Sequence, residues 1–387
     1  MKKIITILSL SLLIFNPVFA DKYPKLKDPV KSISGSIKKL KVPGKIDLKD
    51  YKVKNPGYKI YIDVAKRRAE LKGHKNNYRL CKPFKNIELF PSMPEIGGHK
   101  WKQEGASPID FINFAEPMIE NMNKLVRGWL SSGDIFYLDK MKEQILLWSK
   151  ENAFNVLISD GYNSEWESDF AYIDTLENVR QTLVGMLIAF DVLRQEKALT
   201  PEEDKIIYDW FEKIVAKTSI GTNDGAKDKM PPGNHTEASK ARIYTLWGIL
   251  SGDDKYFQAG LKFYGIALNV TRKDGSSRHE IRKQKGKSNR SKRGLLKMTQ
   301  VVGGMVMIAE VFANQGYDLY SFETKKGVTV HTMVDFLITY IGYPKSGAKK
   351  KAYIDPEIMD TKRILRKTGI NDNTLGWTHA YVKRFPN

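Results

Sequence analysis

His235 stands where an imidazole could work as a base. It lies in Pro231-Pro232-Gly233-Asn234-His235-Thr236-Glu237, just past a Pro/Gly loop and at the opening of an apolar-periodic stretch. Asparagine is a favoured helix cap, and capping alone is the plainer account of Asn234. The positive end of a helix dipole disfavours imidazolium, however, so a histidine in the first turn tends to stay neutral, as a general base must. The second concentration of chemistry runs from Asp274 to Arg293. It carries Arg278, Arg282, Lys283, Lys285, Lys287, Arg290, Lys292 and Arg293, with Glu280 the only acid after Asp274. Such a run is either a solvated loop or an arm that grips an anionic polymer. Arginine suits the second role because its planar fork makes paired, charge-assisted hydrogen bonds to carboxylate. A third group, Trp377-Thr378-His379-Ala380-Tyr381-Val382-Lys383-Arg384-Phe385-Pro386, spaces its aromatics three to four apart, which reads as core.

Metal chemistry is not expected. The chain has no CxxC, no HExxH and no histidine pair at metal spacing, and its one cysteine, Cys81, cannot close an internal disulfide. No cofactor is implied.

The elements that must position these residues are helices. Ser107-Pro108 supplies a cap and a first-turn proline, and Ile109, Phe111, Ile112, Phe114, Met118 and Met122 follow at helical spacing to Leu130. Further helices are predicted over 134–152, 168–195, from Thr200-Pro201-Glu202-Glu203 through Ile206, Trp210, Phe211 and Ile214, then over 235–250, 253–270, 294–316 and 328–342. A short helix fits Tyr61 to Leu71 and another fits 374–384. No segment alternates long enough to build a sheet. Helices of this length on short loops predict antiparallel pairs arranged as a bundle, solenoid or toroid. Long irregular stretches remain at 154–167, 218–234 and 271–293, and function tends to sit in such loops.

The chain ends outside this region differ in character. Lys2-Lys3, the apolar run Ile4 to Phe15 and the small residues around Ala20 compose a signal peptide over 1–20. Residues 21–60, with Pro24, Pro29, Pro43 and Pro56, read as a basic, extended arm, and 61–387 as the folded domain. No later stretch is apolar for long enough to anchor in a membrane. Formal net charge is +20, and loss of the two lysines in 1–20 leaves +18. A field of that sign implies an anionic partner. Export to the periplasm favours an acidic glycan over nucleic acid, for which no binding motif is present.

Taken in order, these segments resemble the alginate lyase family, which acts on poly-mannuronate. Gly233-Asn234-His235-Thr236-Glu237-Ala238 is similar to the family's Asn-Asn-His-Ser-Tyr-Trp helix opening, and Asp274-Gly275-Ser276 to its Asp/Asn-Gly turn. Arg290-Ser291-Lys292-Arg293-Gly294-Leu295-Leu296-Lys297 resembles its Arg-Gly-x-Arg-Ala-Leu-x-Tyr motif. Val306 to Tyr320 and the ending Trp377 to Pro386 also match in kind. The resemblance covers residues 105–387. It implies an all-α, incomplete (α/α) toroid of antiparallel helix pairs with a deep cleft, working without a metal and as a monomer.

It also implies a reaction, β-elimination in a uronate polymer. Asn234 and Arg290 would neutralise the substrate carboxylate, His235 would take the C5 proton, and Arg278, Lys292 and Arg293 would bind the polymer. The family's motif tyrosine would protonate the leaving oxygen, but Lys297 occupies that position here, and Met298 replaces the histidine beside it. Three possibilities follow: Lys297 is the acid, a tyrosine such as Tyr244 or Tyr353 reaches in, or catalysis is weakened and the protein binds anionic polysaccharide without cleaving it.

Overall fold

A computed structural model describes residues 39–41, 47–57, 59–72, 87, 89–90, 95–96, 108–154, 156–157, 169–218, 234–277, 281–284, 287–289, 292–342, 381 and 384–385. Among these residues there are nine α-helices: α1 (Val64–Lys72), α2 (Pro108–Ser132), α3 (Ile135–Lys150), α4 (Asp169–Gln195), α5 (Pro201–Thr218), α6 (Asn234–Ser251), α7 (Asp254–Val270), α8 (Lys292–Asn314) and α9 (Val330–Gly342). Their bounds lie within two or three residues of the periodicity-based spans. The helix expected at 374–384 lies mostly outside the described residues. Strand is confined to short pairs. β1 (Leu40–Lys41) joins β6 (Glu323–Thr324), β2 (Glu95–Ile96) joins β3 (Val156–Leu157), and β4 (Arg282–Gln284) joins β5 (Lys287–Asn289).

The helices form an (α/α) toroid. Four of them, α2, α4, α6 and α8, pack side by side as an inner row, and each is followed by an outer partner, α3, α5, α7 or α9. The connections at one end are tight. Between α6 and α7 only Gly252 and Asp253 intervene. Gly252 has φ +73°, and the Asp253 side chain caps α7 by accepting from Lys255 N. Burial follows the apolar stripes: Tyr137, Leu138, Met141, Ile145 and Trp148 on α3, and Val179, Leu183, Leu187, Phe190 and Leu193 on α4. On α5 the buried isoleucines are Ile207 and Ile214; Ile206 is only half-buried.

One stretch of chain shows which way the inner helices point. Residues 51–64 run across the carboxyl ends of three of them. Lys59 N and Ile60 N donate to the Asp191 carboxylate at 3.0 and 3.1 Å, and Val64 N donates to Gln195 Oε1, both acceptors being in the last turns of α4. Gly57 N donates to Ile249 O of α6, and Lys54 N and Asn55 N donate to Gln315, just past α8. Next, α1 packs on α2, and Arg68 stacks over Trp129 near the end of that helix. All four inner helices therefore end on one floor and begin at the opposite face. Within 21–60, the described residues include β1 and a single 3-10 turn at Leu48–Asp50, and those from 51 onward are fastened to the toroid through their backbone.

Candidate active site

The inner helices α4, α6 and α8 begin at the face opposite the floor, and each follows one of the long irregular stretches of the sequence. Asn234 is the first residue of α6 and His235 the second. Asn234 lies fifteen residues before the floor contact at Ile249, which is about 22 Å along the helix. Lys292 and Arg293 open α8, and Lys297 lies in its second turn. For these five residues the helix position is described and the side chain is not. Arg278 and Arg290 lie outside the described residues, as does Tyr353.

The two helices that carry the set meet directly. A Cβ at Gly304 of α8 would stand 3.7 Å from Ala238 Cβ and 3.2 Å from Arg242 Cδ, both on α6. Gly304 is thus level with about residue 240. Seven residues nearer the amino end, two turns up, Lys297 comes level with Asn234, because both inner helices run the same way. His235, Ala238 and Arg242 share one stripe of α6, as Lys297 and Gly304 share one stripe of α8. The two stripes meet along this seam.

The described residues of the basic segment before α8 are folded as well. Asp274-Gly275-Ser276 forms a turn in which Gly275 has φ +80°, with the Thr332 carbonyl lying where a side chain would project. The Asp274 side chain accepts from Ser276 N and Oγ at 3.0 and 2.6 Å, and Arg272 Nη1 donates to the carbonyls of Ser277 and Ile281. From this root the chain enters the β4–β5 hairpin, with Arg282 opposite Asn289 and Gln284 opposite Lys287. From sequence, 271–293 reads as an irregular stretch; a hairpin of two three-residue strands is too short to leave an alternating pattern. Met298, beside Lys297, is fully buried, and its sulfur lies 3.4 Å from Ser277 N. It ties the hairpin root to α8.

Tyr244 is not available as the missing acid. It is 2 % exposed and nine residues into α6 from His235, about 13 Å further toward the floor, packed against the tilted rings of Tyr256 and Phe263.

Below Asn234, α6 and α7 bury a charged group that helical periodicity alone would place on the solvent face. Glu237 accepts from Lys240 Nζ at 3.3 Å, and Lys262 of α7 is close enough to feel the same carboxylate. Both ammonium groups flank the Phe263 ring, at 5.3 and 5.2 Å. Burial lowers the Lys262 ammonium to about 8, the Glu237 charge opposing that shift. Among the described residues no cluster of histidine, cysteine and acidic side chains could hold a metal ion.

A sequence model of the alginate lyases matches residues 115–346, well over half of the chain and inclusive of α6, the hairpin and α8. The chain belongs to the alginate lyase family. Membership supports a polysaccharide lyase function on an alginate-like substrate. Alginate lyase A1-III from Sphingomonas species A1 is similar over 89% of this chain and 92% of its own, with 20% identity and a TM-score of 0.61. A Tyr-to-Phe variant of A1-III complexed with tetrasaccharide gives 18%, 89% and 92% coverage and 0.62. An alginate lyase from Bacteroides ovatus gives 18%, 85% and 95% coverage and 0.53. At these identities the likeness is one of fold. No curated protein matches the chain. Among the described residues no helix is long and apolar enough to cross a membrane.

Proposed function

We propose that the chain is an exported, periplasmic lyase that cleaves a uronate polymer by β-elimination at the amino ends of α6 and α8. Asn234 and Arg290 bind the carboxylate next to the reacting carbon, which lets that carbon carry a developing charge. His235, kept neutral at the helix start, takes the C5 proton. The electron pair forms C4=C5 as the C4–O bond breaks, and Lys297 gives its proton to the departing oxygen. Arg278, Lys292 and Arg293 hold neighbouring units of the polymer. What carries this reading is the seam between α6 and α8: the helix positions of His235 and Lys297 are level and lie on stripes that meet.

The substitution of Lys297 for the family's tyrosine favours a second reading, a binder of anionic polysaccharide that no longer cleaves it. One measurement separates the two. Elimination leaves a double bond conjugated to the carboxylate, so absorbance in the ultraviolet rises as a uronate polymer is cut. A rise on one of a panel of such polymers, lost in His235→Ala, is expected. Salt-sensitive binding with no rise on any of them would sink the lyase reading and leave the binder.

A further inference from the structure

Arg180 presents a charge that the fold does not answer. It lies in α4, 2 % exposed. Its Nη2 donates to the carbonyl of Thr218, the last residue of α5, at 3.1 Å. Nε and Nη1 are buried and have no hydrogen-bond partner among the described residues. The Thr218 hydroxyl cannot help, because it is turned to Val215 O at 2.9 Å. A guanidinium stays charged at any working pH, and one held out of water with most of its donors unmet is among the most costly arrangements a fold can hold. The negative end of α5 compensates only part of a unit charge.

Its height in the toroid gives the position meaning. Arg180 lies eleven residues before Asp191, which the 51–64 strap fixes to the floor. On α6, the residue eleven before the floor contact at Ile249 is Ala238. Since α4 and α6 pack together and run the same way, Arg180 is about one turn below Asn234 on the adjacent inner helix. We propose that Arg180 is the receptor for a carboxylate, distinct from the one neutralised at Asn234, and that its ligand is a uronate unit next to the reacting one. The identity of that ligand rests on the lyase reading; the carboxylate site does not. A planar fork with two unmet donor nitrogens fits a carboxylate in a way that a spherical halide does not.

The test uses the mature chain and Arg180→Met, with sodium glucuronate as the probe and sodium chloride at equal ionic strength as the control. Glucuronate has no glycosidic bond to break, so its effect is read without catalysis. It is expected to raise the unfolding midpoint of the wild type and not of Arg180→Met, with chloride doing little. On a polymer that the wild type cuts, Arg180→Met is expected to raise KM about tenfold, the loss of one charge-assisted contact, with kcat nearly unchanged. If Arg180→Met does not fold, Arg180→Lys keeps the charge without the fork and is expected to respond more weakly to glucuronate. An equal glucuronate response in wild type and variant would overturn the site and show that the guanidinium is answered within the protein. A response to chloride alone would overturn the carboxylate. If no polymer is cut but the glucuronate response still depends on Arg180, the site stands and the lyase reading falls.

Discussion

Asp191 receives the backbone N–H groups of Lys59 and Ile60 on its two carboxylate oxygens, at 3.0 and 3.1 Å, and so ties the strap to the carboxyl end of α4. Gln195 Nε2 donates to the same carboxylate at 2.8 Å. The group is 1 % exposed, and burial raises it to about 7 despite these three donors. Removing the carboxylate takes the acceptor from both amides, of which that of Ile60 is buried. Asp191→Ala is therefore expected to cost about 3 kcal/mol in a denaturant melt. A loss below about 1 kcal/mol would mean that water replaces the carboxylate and that the strap is not held there.

The same residue predicts a pH dependence. Its folded pKa lies above the ordinary carboxylate value near 4. The stabilisation it contributes is full below about pH 4 and is lost as pH rises through about 7, because the folded state holds the proton more tightly. In Asp191→Asn that contribution is absent at every pH. The stability difference between wild type and Asp191→Asn should accordingly shrink between about pH 4 and about pH 7 and change no further above that. A difference that stays flat would show that the carboxylate is ionised throughout, held by its three N–H donors.

The α6–α7 pair depends on a missing side chain. A Cβ at Gly248 would stand 2.8 Å from Phe257 Cα and closer still to Phe257 N, backbone that cannot yield without moving the helix. Gly248→Ala gains up to about 1 kcal/mol of helix propensity but must push α7 away from α6, at a typical overpacking cost of about 1–3 kcal/mol or more. Net destabilisation is expected, with a lowered melting midpoint. A variant as stable as the wild type would mean that the two helices are not in the close contact described.

Glu237 holds Lys240 and Lys262 together in a buried setting. Glu237→Gln leaves two ammonium groups facing each other without the carboxylate and is expected to cost about 3–5 kcal/mol. Adding Lys262→Met should recover a large part of that loss, and a double-mutant cycle measures the coupling. Simple additivity of the two changes would show that Lys262 is satisfied elsewhere.

These relationships mark the limit of what the sequence could convey. Helix positions were legible because Tyr137, Leu138, Met141, Ile145 and Trp148, like the stripes on α4 and α6, repeat at the helical period that burial on one face requires. The start of α6 was legible from Asn234 and the preceding Pro-Pro-Gly. The strap was not, because its backbone is satisfied by Asp191, Gln195 and Gln315, up to about 260 residues away, and nothing local announces such pairings. Arg180, Glu237, Lys240 and Lys262 are charged residues on helices, which by pattern alone belong on the solvent face. Tyr244 was a candidate acid by residue type; its burial between two aromatic rings is a fact of tertiary packing.

The substitution at Lys297 gives the sharpest test of mechanism. If its ammonium supplies the proton to the leaving oxygen, Lys297→Ala should lower kcat by about 100-fold or more, the usual scale of a lost general acid, and leave KM within a few-fold. The alkaline limb of the rate profile should vanish with it, since a lysine acid is lost on deprotonation. Lys297→Tyr replaces one donor with another and should retain activity where alanine does not. Unchanged turnover in Lys297→Ala would transfer the acid to another residue. Tyr244 is already excluded by its depth, which leaves Tyr353 as the next position to vary.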